Sequence, residues 1–351
     1  MKATPWALGA ILVSSLLVVT DASANRYRLV DLGRGSAYAV NNRDVIAGYD
    51  YPYYQNARWR NGRWTRVSDI GKANAINDRG QIAGYAYAPD QIEKLPIVWE
   101  RPQIGGARFL GLPEGFQWGE AMAISNDGAV VGYFGGDASG TGCFLAKDGY
   151  HTEFLDWPLE LGCIPFGMNH NGQIVGYVRT EGHANKAFIW TDGQFEFLPS
   201  LNGDGPTQAE DSNDLGDVVG VSSSYDDHAV LWRDGTAVRL DKTDRFVETV
   251  AHGINNDGVI VGEGHPQGDG HSDPNWVAVR FEGGRSIPLN SEVKDLNGWH
   301  LQYAYSVNNN GVILAAATFS HVYHSVALFP IKDEEAQAET KSGNRGGPWA
   351  P

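Results

Sequence analysis

The chain has 351 residues, a formal charge of −15, and 44 Gly, 11 Trp and 15 Tyr. That acidity argues against nucleic acid or an anionic membrane surface as a partner, since both demand clustered Lys and Arg; its plain reading is solubility. Helix formers are scarce beside Gly, Trp, Tyr and Val, so strands and tight turns are expected rather than helices.

Taken from the start, Lys2 precedes an apolar run of roughly 14 residues, Trp6 to Val19. A membrane-spanning helix needs about 20. Ala22-Ser23-Ala24 follows as a small-residue cleavage pattern, so residues 1–24 are expected to be a secretory leader. The mature chain then begins near Asn25, and no later stretch reads as a membrane span. A secreted or periplasmic location follows.

From there one pattern recurs seven times: a small residue, two further positions, an apolar residue, Asn, a turn, then an apolar strand ending in Gly-Tyr. The copies begin at Ala37, Ala73, Ala121, Pro165, Ala209, Ala251 and Ala304. Ala73-Asn74-Ala75-Ile76-Asn77 with Gln81-Ile82-Ala83-Gly84-Tyr85 is representative. Each copy is completed by a second module, as in Ala187-Phe188-Ile189-Trp190, Asp192-Gly193 and Leu198. Asn-Gly and Asp-Gly pairs suit two-residue hairpins that need positive φ. Each repeat is therefore four short strands. The repeat length, from about 36 to about 53 residues, matches one propeller blade.

The fold expected is an all-β, seven-bladed β-propeller over residues 25–331. The seventh copy lacks a fourth strand, and Tyr27–Gly33 is an orphan strand that can supply it and hide two sheet edges. Residues 332–351 are polar and read as a disordered tail. The modules resemble the HAF-repeat proteins, a family of exported bacterial repeat proteins. The resemblance implies a propeller and brings no catalytic motif with it.

Cys143 and Cys163 are the two cysteines of an exported chain and read as a disulfide; two separate buried thiols are the alternative. Closing a loop of about 20 residues is worth about 3 kcal/mol in the chain-entropy model.

Loop lengths choose a face. The turns Asn77–Gly80, Asn169–Gly172 and Asn255–Gly258 are short, as are the Asp-Gly hairpins. The loops on the opposite face are longer and varied, and function is expected there. The first variable position of each repeat stands at the channel mouth: Tyr38, Asn74, Met122, Phe166, Glu210, His252 and Tyr305. Glu210, His252 and Tyr305 are the candidate catalytic set, an acid/base pair with a hydroxyl. Tyr38, Asn74, Phe166 and Asp211 are candidate ligand-binding residues of the ring. Trp118, Glu120, Trp299 and His300 join them from the loops, because a sugar face stacks on an aromatic ring while carboxylates and amides take its hydroxyls.

No cofactor is expected. His265, His271, Asp273, His321 and His324 fit a divalent metal by residue type, but their spacing matches no stringent motif. No nucleophile elbow or phosphate loop is present. The functions left are an exported binding or scaffold module, its partner a glycan, a small ligand or an envelope protein. The alternative is a polysaccharide lyase or glycosidase at the channel mouth.

Overall fold

A computed structural model describes residues 26–332, apart from 52–54, 70, 89–92, 101–105, 137–139, 148–151, 157–160, 183, 204, 224–225, 244 and 267–275. The expected leader, and the expected tail from residue 333 on, lie outside the described residues. No helix among those described is long and apolar enough to cross a membrane.

Seven antiparallel sheets form the blades, in each of which the chain runs from an inner strand to an outer one. The inner strands of blades 1 to 7 are Ser36–Val40, Lys72–Ile76, Trp118–Ile124, Cys163–Met168, Thr207–Ser212, Phe246–Ile254 and Trp299–Val307. Hairpins fall where the Asn-Gly and Asp-Gly pairs predict them. Asn61 and Gly62 stand at φ 50° and 86°, and Asp234 and Gly235 at 51° and 70°; a β-branched residue would be strained at either place.

The ring closes as expected. Tyr27–Gly33 pairs antiparallel with Val322–Pro330 in blade 7. The short strand Val293–Lys294 adds in parallel outside it, which gives that blade five strands and was not foreseen. The cause is local. Glu292, fully buried, accepts from Arg280 at 2.8 and 3.0 Å, and its carbonyl accepts the Arg26 and Tyr27 amides. A buried carboxylate with full hydrogen bonding thus fixes the closing strand in place. Cys143 and Cys163 are bridged and join the third strand of blade 3 to the first of blade 4.

Apolar burial is divided rather than central. Seven hydrophobic clusters occupy the seven seams between neighbouring blades. At the closing seam Leu32, Leu314 and Ala327 of blade 7 pack on Ala37, Ile46 and Trp59 of blade 1. The inner strands therefore surround a polar axis.

Two backbone devices shape that axis. The first is an asparagine belt at the short-turn mouth. The Oδ1 of each repeat Asn caps its own turn: Asn41 accepts the amides of Arg43 and Val45 at 3.0 Å. Its Nδ2 donates to the equivalent carbonyl one blade on. Asn41 reaches Asn77, Asn169 reaches Asn213, Asn213 reaches Asn255, Asn255 reaches Asn308, and Asn308 returns to Asn41 at 2.8 Å. Asn77 reaches the Ser125 carbonyl, and Ser125, which has no amide to give, leaves the next link open.

The second device is a β-bulge in every inner strand. Register shifts between Ala37 and Ala39, and at the matching place in the other six blades. In six of the blades a repeat glycine stands opposite, and in blade 7 Ala315 takes its place. A Cβ on Gly48 would drive into the Ser36 carbonyl, and one on Gly220 into that of Gln208. The bulged residue is the variable one of each repeat. A bulge re-aims a side chain, and here it falls at the one position that varies from blade to blade.

Candidate binding site at the loop-rich mouth

The bulge ring is a real ring. Its side chains are half-buried and touch across blades. Asn74 of blade 2 donates to the Ala121 carbonyl of blade 3 at 2.9 Å and approaches Met122. Lys72 of blade 2 places its ammonium 4.3 Å from the Tyr38 ring of blade 1. Two arcs of different chemistry emerge from it.

The first arc spans blades 1 to 3 and is aromatic. Glu120 pairs with Lys94 and lies within 3.5 Å of the Asn74 amide. The Lys94 ammonium stands 5.6, 5.5 and 5.6 Å from the Tyr85, Trp118 and Tyr133 rings and 3.4 Å from the Tyr133 hydroxyl. Burial works against the charge of Lys94, but Glu120 outweighs it and holds the proton. Trp118 and Tyr133 meet edge to face at 5.9 Å. The backbone allows this because Gly135 leaves the space that the Trp118 indole fills. Three expected binding residues (Asn74, Trp118 and Glu120) thus converge. Lys94, Tyr85 and Tyr133 complete the group and were not foreseen. Tyr85 and Tyr133 are the repeat tyrosines, read in the sequence as blade chemistry alone.

The second arc spans blades 5 and 6 and is ionisable. The His252 imidazole lies 3.4 Å from Glu263, and Glu210 is held by Gln208 at 2.6 Å. Burial raises the Glu210 carboxyl, against the pull of His252 and Gln208. For His252, burial favours the neutral ring, but Glu263 and Glu210 together keep it protonated above its ordinary range. Glu263 was missed although the signal was legible: it occupies the place of Tyr49, Tyr85, Tyr133 and Tyr177 in the earlier repeats. Asp211, next along the same inner strand, lines the channel toward the opposite mouth. Its carboxylate accepts the Ile254 and Ser212 amides at 3.0 and 2.8 Å, and burial pushes it up to about 7.

Other expected residues are placed elsewhere or used differently. Tyr305 packs in the seam between blades 7 and 1. Its hydroxyl is hydrogen-bonded to Ser325, and burial raises it; it neighbours Tyr38 rather than Glu210 and His252. Trp299 lies tilted against Phe319 at 5.0 Å and meets His324 edge-on at 5.2 Å, so its ring is engaged in packing. His300 sits beside Asn290, 3.5 Å away. Phe166 pairs with Tyr177 at 5.8 Å on the far side of the ring. Of the histidines weighed as metal ligands, His265 lies against Trp276 and His324 bonds Asp31 at 2.9 Å. His271 and Asp273 lie outside the described residues.

The opposite mouth holds an open polar cavity of about 220 Å³ that sequence reasoning did not anticipate. Its rim is the residue after each repeat Asn. Asp78 accepts the Asn42 amide at 2.8 Å, Asp214 that of His170 at 2.9 Å, and Asn309 that of Asn256 at 2.9 Å. Burial would raise Asp214, but the Asn256 amide and His170 hold it below the usual carboxylate range.

No family model and no curated protein matches the chain. Solved structures do. The GH74 enzyme of Niastella koreensis superposes with a TM-score of 0.51 at 11% identity, covering 87% of this chain and 43% of its own. A prolyl endopeptidase gives 0.51 at 9% identity over 84% and 47%. A puromycin-hydrolyzing peptidase of Mycobacterium tuberculosis gives 0.47 at 12% over 78% and 47%. This chain spans under half the length of each of them. Likeness at such identity concerns the fold alone, and that fold is the β-propeller.

Proposed function

We propose that the protein is an exported glycan-binding propeller whose binding site is the aromatic arc of the loop-rich mouth. The observation that supports this reading is the Lys94–Glu120 pair set among Tyr85, Trp118 and Tyr133 with the Asn74 amide beside it. Rings offer flat apolar faces to a sugar, and the pair offers a donor and an acceptor to its hydroxyls. All of these groups stand on strands, so the site is preorganised rather than formed on binding. Binding to an array of neutral and acidic glycans, followed by titration with Trp118→Ala and Glu120→Gln, tests it. Loss of the selected glycan in both variants is the expected result. Failure of the wild type to retain any glycan overturns it.

A second reading rests on Glu263. Its replacement of the repeat tyrosine puts a second carboxylate beside His252 and near Glu210. A carboxyl whose hold on its proton is strengthened by burial and a second carboxylate in the neighbouring blade are the parts a glycosidase needs. Release of reducing ends from a substrate panel, abolished in both Glu210→Gln and Glu263→Gln, would favour it. A flat response across the panel removes it.

A further inference from the structure

The acidic charge of the whole chain conceals a basic blade. Between residues 26 and 69 eight arginines stand against four aspartates, a local charge of +4, with no lysine or glutamate. Four of these arginines are engaged: Arg26 with Glu292, Arg66 with Asp69, Arg34 over the Tyr51 ring and Arg28 over the Phe329 ring. The Arg43 and Arg60 side chains are exposed and make no ion pair among the described residues. Crowding has a price: burial and the neighbouring Arg60 both lower the affinity of Arg58 for its proton.

Arg28, Arg43 and Arg60 converge on one groove of about 370 Å³ across the closing seam, on the short-turn face. Its floor is Trp59 and Phe329, whose rings lie 6.1 Å apart. Arg28 sits 5.5 Å over Phe329. The one carboxylate there, Asp44, is bonded by the Asn308 and Asn310 amides at 2.8 and 3.0 Å. The groove is thus an apolar floor with three guanidiniums above it, of the size that binds small ligands.

We propose that this groove is a second binding site, separate from the loop-rich mouth, and that it takes an anionic oligosaccharide. Guanidiniums bind carboxylate or sulfate through paired N–H donors, and the Trp59–Phe329 floor keeps water from one side of them. Because Arg28 belongs to the closing strand and Arg43 and Arg60 to blade 1, a bound anion ties the two ends of the ring together. Binding the folded ring alone, it raises the unfolding temperature with concentration.

The test is calorimetric titration of the full chain at 50 mM salt with a galacturonate hexamer, a heparin hexasaccharide and neutral maltohexaose. One or both acidic sugars should bind, weaken at least tenfold at 300 mM salt, and raise the unfolding temperature; the arm that binds tells carboxylate from sulfate. Arg43→Gln/Arg60→Gln should weaken binding at least tenfold while keeping the unliganded unfolding temperature, since both side chains are exposed and make no ion pair among the described residues. Undiminished binding by that variant, equal binding of maltohexaose or a short single-stranded DNA, or no binding of either acidic sugar would overturn the proposal. Because the readout depends on Arg43 and Arg60 alone, it can fail while the aromatic arc holds, and the reverse.

Discussion

The two mouths of one channel are built from the same repeat and differ in what their polar groups do. At the short-turn mouth the repeat Asn spends its oxygen on its own turn and its amide on the next blade. At the loop-rich mouth the bulge delivers one variable residue per blade, and Glu210 and His252 among them bond other side chains rather than backbone. A polar residue bonded to backbone on both sides specifies structure, whereas one bonded to other side chains can exchange those partners for a ligand. Polarity alone therefore does not mark the site. The short-turn mouth has a polar cavity, yet its polar groups are committed to backbone.

The largest effect expected from breaking this contrast is at the belt. Asn308→Ala removes the amide to Asn41 and the oxygen that caps Asn310 and Val312. Losing several buried bonds at the ring closure should cost about 2–4 kcal/mol, read as a lower urea midpoint. Unchanged stability would mean that the belt is ornamental.

Asp211 sharpens the contrast through pH. Its folded pKa of about 7 lies above the ordinary 3.8, so the folded chain binds more protons than the unfolded one between those values. Stability from this group is full below about pH 4 and lost as pH rises through 7. Protonation of His252 runs in the same direction. Asp211→Ala restores the small residue that the first three repeats hold in Ala39, Ala75 and Ala123. It should gain about 1–3 kcal/mol over wild type at pH 8 relative to pH 5. Parallel stability profiles would show that Asp211 does not carry this charge.

At the loop-rich mouth, Trp118→Ala should weaken glycan binding about tenfold, or roughly 1.4 kcal/mol, with less than about 1 kcal/mol lost in stability. The smallest change completes the belt. Ser125→Asn supplies the missing amide toward Asn169, and thermal unfolding should show a gain of about 0.5–1.5 kcal/mol. A loss instead would indicate that Ser125, through Asp127, is suited to its own turn.

Much of this was legible in the chain itself. Blade number, hairpins, the closing strand and the cysteine bridge follow from local chemistry: φ at Asn-Gly pairs, strand periodicity, and an orphan strand at one end with a gap at the other. Trp118, Glu120 and Asn74 were legible because they break the repeat. Glu263 also breaks it and could have been found by the same comparison. The belt was not legible as a belt, because Asn77 and Asn169 look like ordinary turn residues until the next blade's carbonyl is in place. Nor was the fate of Tyr305 and Trp299. Their positions vary as a binding residue's would, yet Ser325, Phe319 and His324 already occupy them.

The sequence by itself determined that seven four-stranded units form and close, since each unit's turns and apolar stripes are encoded within about 50 residues. Only the tertiary structure decided which variable residues meet. Asn74 and Glu120 lie 46 residues apart and meet only when blade 3 packs on blade 2, and Arg28 and Phe329, about 300 apart, only when the ring closes. Closure brings residues together by their angle around the axis, and nothing in their own stretches of chain records that angle.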